Sequence, residues 1–138
     1  MRTQVAFDCA DPHAQARFWA QVFGTVVEDH HDLVEQLVAA GRMSAEERIV
    51  LDRRSAFRDV AAVRDPSGVE PRLFFQRVPE GKSAKNRCHV DIHVDEADKP
   101  AEVERLMALG ARHLETHADR GPTVYVMQDP EGNEFCLH

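Results

Sequence analysis

The chain has 138 residues, the length of one domain and enough to bury a hydrophobic core. Its net charge of -7 argues against a nucleic-acid partner or an anionic membrane surface, because both require a basic face. No apolar run approaches the roughly 20 residues of a membrane span, and the first residues carry no secretory signal. With three cysteines and no CxxC spacing, we expect reduced thiols and a cytoplasmic protein.

The first predicted elements are a strand and a helix. Residues 4–9 alternate polar and apolar side chains, which is typical of a strand with one buried face. Asp11 and Pro12 then provide an N-cap and a first helical position, and Gly24 ends the helix. Trp19 lies on the apolar face of this helix, so we expect it in the core.

Residues 28–58 interrupt the pattern. We predict a short amphipathic helix over 32–41, a capping box at 44–47 and a strand at 49–51. This segment is interpreted as an insertion, which could form a lid, a dimer surface or an extra layer of packing.

The second half of the chain repeats the first. Residues 89–110 again read as a strand and a helix followed by glycine, as residues 4–24 do. VAAVRDPSG (60–68) is matched by VYVMQDPEG (124–132), in which Asp-Pro-x-Gly indicates a hairpin turn. A further strand follows each turn. The sequence therefore predicts an α+β protein made of a duplicated module, the first at about 1–80 with the insertion, the second at about 86–138.

Several polar residues alternate along the strands of the second copy. His89, Asp91 and His93 share one strand face, and Glu134 and Cys136 share another. Imidazole, carboxylate and thiol groups are ligands for zinc, nickel, iron or manganese. The alternative is structural, because a single histidine on a strand is more often simply hydrogen-bonded. His138 shares the face of Glu134 and Cys136, and the alternative reading is a frayed end.

Two further positions have open alternatives. Arg72 shares a strand face with Phe74 and Gln76; facing inward it could hold a substrate carboxylate or phosphate, and facing outward it is a solvated charge. Tyr125 and Met127 alternate with Val124 and Val126, so only one of these two pairs faces the cavity. If Tyr125 and Met127 face it, Tyr125 could contact the substrate or donate a proton.

FDCADP and FWAQVFG near the start, HVDIHV in the middle and DPEGNEFCLH at the close resemble the vicinal oxygen chelate superfamily, and specifically its glyoxalase-like branch. The resemblance covers nearly the whole chain. It implies one domain over 1–138, with two tandem βαβββ modules forming a cup-shaped mixed sheet and helices on the outside. It also implies a homodimer.

The resemblance further implies a metal site with one ligand from the first and last strand of each module. Carried over position by position, the ligands are Gln4, Gln76, His89 and Cys136. The cofactor is then one divalent metal (Zn, Ni, Fe or Mn). Glutamine at 76 and cysteine at 136 replace the glutamates of metal-binding relatives, so a cup without metal is the other reading.

Two functions follow from the resemblance. The first is an enzyme, a lyase, isomerase or dioxygenase-type oxidoreductase acting on a small molecule, with Glu134 and Tyr125 as catalytic residues. Asp91, His93, Arg72 and Phe74 would bind the substrate. The second is a metal-free binding protein that sequesters a drug, as bleomycin-resistance relatives do, aided by the acidic net charge. A fold hosts many reactions, so the substrate does not follow from the resemblance.

Overall fold

The computed structural model describes residues 3–119 and 121–138. Within these ranges the chain forms ten strands, three α-helices and one 3-10 helix. They divide into two compact units, Met1–Pro79 and Glu80–His138. Each unit combines a helix with a mixed sheet, which confirms the predicted α+β class. No helix in the described ranges is both long and apolar enough to cross a membrane.

The first unit contains six strands and two helices. In chain order they are β1 (Gln4–Cys9), α1 (Pro12–Phe23), β2 (Val26–Val27), α2 (His31–Ala39), β3 (Arg48–Leu51), β4 (Arg54–Phe57), β5 (Val60–Arg64) and β6 (Arg72–Arg77). Four strands form one sheet in the order β1-β6-β5-β2, in which β1 and β6 are parallel and the other pairs antiparallel.

Helix α1 begins and ends where the sequence predicts. The Asp11 carboxylate accepts hydrogen bonds from the backbone N–H groups of His13 and Ala14, at 3.1 and 3.0 Å. Gly24 ends the helix with φ of 63°, in the left-handed region that favours glycine. Trp19 is only 1% exposed, as expected of a core residue.

The buried face of this sheet is apolar. Leu73 and Phe75 on β6 and Val63 on β5 are buried, and the Phe7 ring stacks on Phe75 with centroids 5.3 Å apart. Because side chains alternate along a strand, the intervening residues of β1 and β6 lie on the other face of the sheet.

The insertion forms helix α2, a 3-10 turn (Ala45–Glu47) and a β3–β4 hairpin. Ser44 and Glu47 form the predicted capping box. Strand β4 was not predicted. Two positive-φ residues, Asp52 and Arg53, connect the hairpin. The hairpin is tied to α2, since the Glu35 carboxylate accepts from Ser55 Oγ at 2.5 Å and from Arg48 at 2.9 Å.

The second unit repeats the architecture of the first without an insertion. Its elements are β7 (Val90–Ile92), α3 (Lys99–Ala108), β8 (Arg112–His117), β9 (Val124–Gln128) and β10 (Glu134–Leu137). The sheet order is β7-β10-β9-β8, with β7 and β10 parallel. In both units the first strand therefore pairs with the last and the second strand lies at the far edge. The C-cap of α3 is Leu109, whose backbone is in the right-handed helical region with φ of -77°. It lies one residue before Gly110, the residue predicted to end the helix.

The two Asp-Pro-x-Gly turns also match. The Asp65 carboxylate accepts from the backbone N–H groups of Ser67, Val69 and Glu70 at 2.8–3.1 Å. A hydrogen bond from the Ser67 hydroxyl, together with these backbone bonds, lowers the pKa of Asp65 to about 2. The Asp129 carboxylate accepts from two backbone N–H groups at 2.9 Å in the equivalent turn. Each turn directs the chain into the last strand of its sheet.

Candidate functional site

Three potential ligand atoms meet on the sheet of the second unit. Cys136 on β10 is the register partner of Asp91 on β7, and paired residues share a face. His138 follows two positions later and lies on that face too. One ligand atom each from Asp91, Cys136 and His138 lies within 4.8 Å of the other two. Parallel pairing of the first and last strands therefore creates the cluster.

Asp91 lies between two imidazoles. Its Oδ1 is 3.3 Å from His89 Nδ1 and 3.7 Å from His138 Nε2. The His93 ring packs against the His138 ring, with centroids 5.2 Å apart. The side chains of His89, Asp91 and His138 are 41%, 42% and 34% exposed, so solvent and small molecules reach them.

The backbone of His138 is hydrogen-bonded to the chain at the end of β7. Its N–H donates to the Ile92 carbonyl at 2.7 Å, and its carbonyl accepts from Val94 N–H at 2.9 Å. These bonds extend the β7–β10 pairing and place the imidazole near Asp91, so His138 is paired here and not a loose end. The sequence alternation of Glu134, Cys136 and His138 indicates that these residues share a strand face. Only the pairing of β10 with β7 shows that this face also carries Asp91.

The Cys136 thiol is half-buried. Burial raises its pKa, and the negative charge and hydrogen bonding of Asp91 raise it further. Only the thiolate is a good nucleophile or metal ligand. The raised pKa of Cys136 therefore favours the thiol over the thiolate.

Glu134, one of the predicted catalytic residues, is bound by two groups of the segment before β7. Its carboxylate accepts from the backbone N–H of Asn86 at 2.9 Å and lies 3.0 Å from Lys82 Nζ. The Asn86 hydrogen bond, assisted by Lys82, lowers the pKa of Glu134 to about 2. A general acid or base needs a pKa near the working pH. The structure thus makes Glu134 a permanently charged anchor for the segment before β7.

Tyr125 lies on the opposite face of the sheet from Glu134 and Cys136. Its register partner is Leu137, which is fully buried, whereas Cys136 pairs with Val126. The Tyr125 ring contacts His113, with centroids 5.7 Å apart. The two predicted catalytic residues, Glu134 and Tyr125, therefore do not share a face.

The polar face of the first unit is paired internally. Arg72 makes a two-pronged ion pair with Glu28, at 2.7 and 2.8 Å, and also donates to Gln4 Oε1. The Arg72 hydrogen bonds lower the pKa of Glu28. The Arg72 guanidinium lies 5.5 Å from the centre of the Phe74 ring. Arg72 is therefore neither a free anion-binding group nor a solvated charge.

Gln76, the other predicted ligand of the first unit, is also engaged. Its Nε2 donates to the Asp8 carboxylate at 2.7 Å, and the register aligns these two residues on β6 and β1. Gln4 Oε1, the atom through which glutamine would hold a cation, already accepts from the Arg72 guanidinium, whose positive charge opposes a metal there. Gln76 is engaged through Nε2 only, so its place in the predicted ligand set stays a prediction.

An open depression of about 930 Å³ lies beside the Arg72 network. Gln4, Glu28 and Arg72 form one wall, and the 64–71 loop forms the other. The loop adds the carboxylates of Asp65 and Glu70, so the lining contains charges of both signs among apolar groups such as Val69 and Pro71.

The comparisons with known proteins agree on the fold. A family model described as a glyoxalase-like domain matches residues 4–138. A glyoxalase/bleomycin resistance/dioxygenase family enzyme from Burkholderia phytofirmans PsJN is similar at 16% identity and TM-score 0.63, covering 97% of this chain and 94% of that one. No curated protein sequence matches the chain.

Two fosfomycin resistance proteins are also similar in structure. FosX from Mesorhizobium loti has 14% identity and TM-score 0.62, covering 100% of this chain and 90% of its own. FosX from Listeria monocytogenes, complexed with Mn(II) and sulfate, has 11% identity and TM-score 0.60, with coverages of 100% and 88%. At such identities the likeness concerns the fold alone.

Proposed function

The chain belongs to the glyoxalase-like domain family of the vicinal oxygen chelate superfamily, and on that premise we propose that it is an enzyme acting on a small molecule at the polar face of its second unit. The reaction is a lyase, isomerase or dioxygenase-type step on a substrate with neighbouring oxygens. A divalent metal (Zn, Ni, Fe or Mn) assists it, as the Mn(II) complex of the Listeria protein suggests.

The supporting observation is the accessible Asp91 between His89 and His138. The Asp91 carboxylate is 3.3 Å from His89 Nδ1, so it favours the tautomer that carries its proton on Nδ1. His89 Nε2 is then a basic nitrogen available to a substrate. This pairing is how a carboxylate orients a histidine base in many enzymes.

Each residue of this face then has a stated task. His89 takes a proton from the carbon or oxygen next to the reacting group, and Asp91 stabilises the resulting imidazolium. His93 borders the site and contacts the substrate, while His138 lies beside Asp91 and packs against His93. A bound divalent metal would supply the polarisation of the substrate oxygens. Glu134 keeps the segment before β7 in position.

The domain and partner predictions are part of the same proposal. The family model spans both units, which supports one domain over 1–138. The partner is a small molecule. The homodimer and the cytoplasmic location stay predictions.

A ligand panel tests the proposed enzyme. The panel contains fosfomycin, a glutathione hemithioacetal, catechol and bleomycin, each incubated with the metal-supplemented full chain and followed by NMR for binding and turnover. We expect turnover of a compound with neighbouring oxygens and its loss in His89→Ala. His117→Ala is the control, since His117 lies on edge strand β8 and pairs only with Glu115 among the contacts described. Turnover that survives His89→Ala would contradict the assignment.

A metal-free binding protein is the second candidate. The 930 Å³ depression beside Glu28 and Arg72 favours it, because the first unit offers a preformed polar surface without a metal site. Its signature in the same panel is saturable binding without turnover, unaffected by chelator. Arg72→Met would weaken such binding and leave any His89-dependent turnover in place.

A further inference from the structure

We propose that the second unit binds one thiophilic divalent cation of the zinc class through Asp91, Cys136 and His138. The inference deepens the proposed function and rests on it for what the metal does, although the binding itself is tested without substrate. It assigns the ligands to a set other than the one the family resemblance implies, with only Cys136 in common.

The backbone already brings the three donors together. Asp91 and Cys136 are register partners on adjacent parallel strands, and His138 is two residues beyond Cys136 on the same face. Their ligand atoms lie within 4.8 Å of one another. Bond lengths of roughly 2.0–2.3 Å place the ligand atoms of a tetrahedral zinc site roughly 3.3–3.8 Å apart. Small side-chain rotations therefore suffice to close the site.

The donor set selects the metal. One thiolate sulfur, one imidazole nitrogen and one carboxylate oxygen suit zinc or cobalt, whereas Mg²⁺ and Mn²⁺ prefer oxygen ligands. The carboxylate and the thiolate together neutralise a dication. Three protein ligands also leave a fourth position for water or substrate, as in catalytic zinc sites.

His89 supports the site from outside. Its Nδ1 lies 3.3 Å from Asp91 Oδ1, so it orients the carboxylate without needing to touch the cation. Such outer contacts typically change metal affinity by about 10- to 100-fold. The position that the resemblance implies for a ligand is thus that of the proposed base, held outside the ligand set by its contact with Asp91.

The first unit lacks the same constellation. Aligning residues 4–9 with 89–94 puts Ala6 at the place of Asp91. Ala6 pairs with Phe74, which occupies the place of Cys136, and Gln76 occupies the place of His138. The three equivalent positions in the first unit therefore offer one amide and no anion. Within the described residues, the Asp–Cys–His set is present only in the second copy.

Cobalt and zinc titrations test the site in the full chain. After removal of metal by chelator, Co(II) is added and the near-ultraviolet sulfur-to-cobalt absorption is followed. We expect one equivalent to bind, with the band absent in Cys136→Ser. Asp91→Asn and His138→Ala should weaken binding by at least about 100-fold, and His89→Ala by about 10-fold. Cys88→Ser, His117→Ala and Asp95→Asn are the matched controls and should bind as the wild type does.

A measurement on the unmodified chain removes any dependence on variant folding. Zn(II) should protect Cys136, and not Cys88, from iodoacetamide, as read by mass spectrometry of the labelled peptides. Absence of stoichiometric Co(II) binding, or equal labelling of Cys136 with and without Zn(II), would overturn the inference.

Gln4→Ala and Gln76→Ala separate this site from the one the resemblance implies. Both variants should retain metal. If they lose it together with Cys136→Ser, the resemblance-based ligands are correct and this inference fails, while the proposed enzyme stands. If metal binds at Asp91, Cys136 and His138 but no panel compound is turned over, the site stands and the proposed enzyme fails.

Discussion

The sheets of the two units have the same strand order, but the polar side chains on their faces make contrasting contacts. In the first, Arg72, Glu28 and Gln4 bind one another, and Gln76 binds Asp8, so the polar groups satisfy each other. In the second, Asp91, Cys136 and His138 gather donors with no guanidinium among them. The two units thus share a strand order, whereas the side chains on their polar faces differ.

The buried faces should respond alike, and this is the largest expected effect. Phe75 and Leu137 occupy equivalent places, since Phe75 pairs with Phe7 and Leu137 with Ile92. Both are 0% exposed. Phe75→Ala and Leu137→Ala should each lower the free energy of unfolding by about 3–4 kcal/mol in urea titrations. If only one of the two variants lowers the free energy of unfolding by less than about 1 kcal/mol, the two buried faces do not contribute equally to stability.

Removing Arg72 should be the next largest effect. Arg72→Met leaves Glu28, whose side chain is 15% exposed, without its main cation. We expect a loss of about 2 kcal/mol in the free energy of unfolding, between the values for buried and exposed ion pairs. The double variant with Glu28→Gln should recover part of that loss. Arg77→Met is the control, because both partners of its pair with Asp59 are about half exposed and it should cost under about 0.5 kcal/mol. Equal losses of unfolding free energy in Arg72→Met and Arg77→Met would show that the Arg72–Glu28 pair stabilises the first unit no more than an exposed ion pair does.

Glu134→Gln should change both the stability and its pH dependence. At neutral pH we expect a loss of about 1–2 kcal/mol, since a charged acceptor loses its backbone and Lys82 partners. The folded pKa of about 2 lies below the roughly 4.3 of an unfolded glutamate. Glu134 therefore stabilises the fold above about pH 4.3, and this stabilisation is lost as the pH falls towards 2.

Unfolding of the wild type and Glu134→Gln between pH 7 and 2 measures this contribution. The variant should show a shallower acid decline, with Glu104→Gln, an exposed position on α3, as the control. If the free energy of unfolding falls with pH equally in the wild type and in Glu134→Gln, the Glu134 carboxylate does not anchor the segment before β7.

The smallest expected effect concerns the proposed metal-binding face when no metal is bound. In chelator, Asp91→Asn should change the free energy of unfolding by less than about 0.5 kcal/mol, because exposed ion pairs contribute little. The midpoint of thermal unfolding should rise with excess Zn(II) in the wild type and not in Asp91→Asn. A large destabilisation in chelator would instead make Asp91 a structural residue, as Glu28 is in the first unit.

Local signals predicted most of the fold. Asp11, Pro12 and Gly24 mark α1, and the repeated Asp-Pro-x-Gly marks both hairpins, because caps and turns depend on neighbouring residues. The capping box at Ser44 was equally readable. Strand β4 was missed since its residues, RSAF, show no clear alternation.

The site was less predictable, because it depends on which strands pair. Alternation shows which residues share a face and leaves open which face is buried, so it could not show that Tyr125 shares the face of the buried Leu137. The partner of Arg72 is Glu28, 44 residues away, which no local pattern indicates. Cys136 meets Asp91 only through parallel pairing of β10 with β7.

X-ray absorption at the zinc edge of the Zn-loaded full chain tests the central claim most directly, namely that the second unit's polar face is a metal site and not a self-paired surface. We predict one sulfur at about 2.3 Å and nitrogen or oxygen neighbours at about 2.0–2.1 Å, with the sulfur lost in Cys136→Ser and kept in Cys88→Ser. A shell of nitrogen and oxygen alone in the wild type, or no retained zinc, would contradict it.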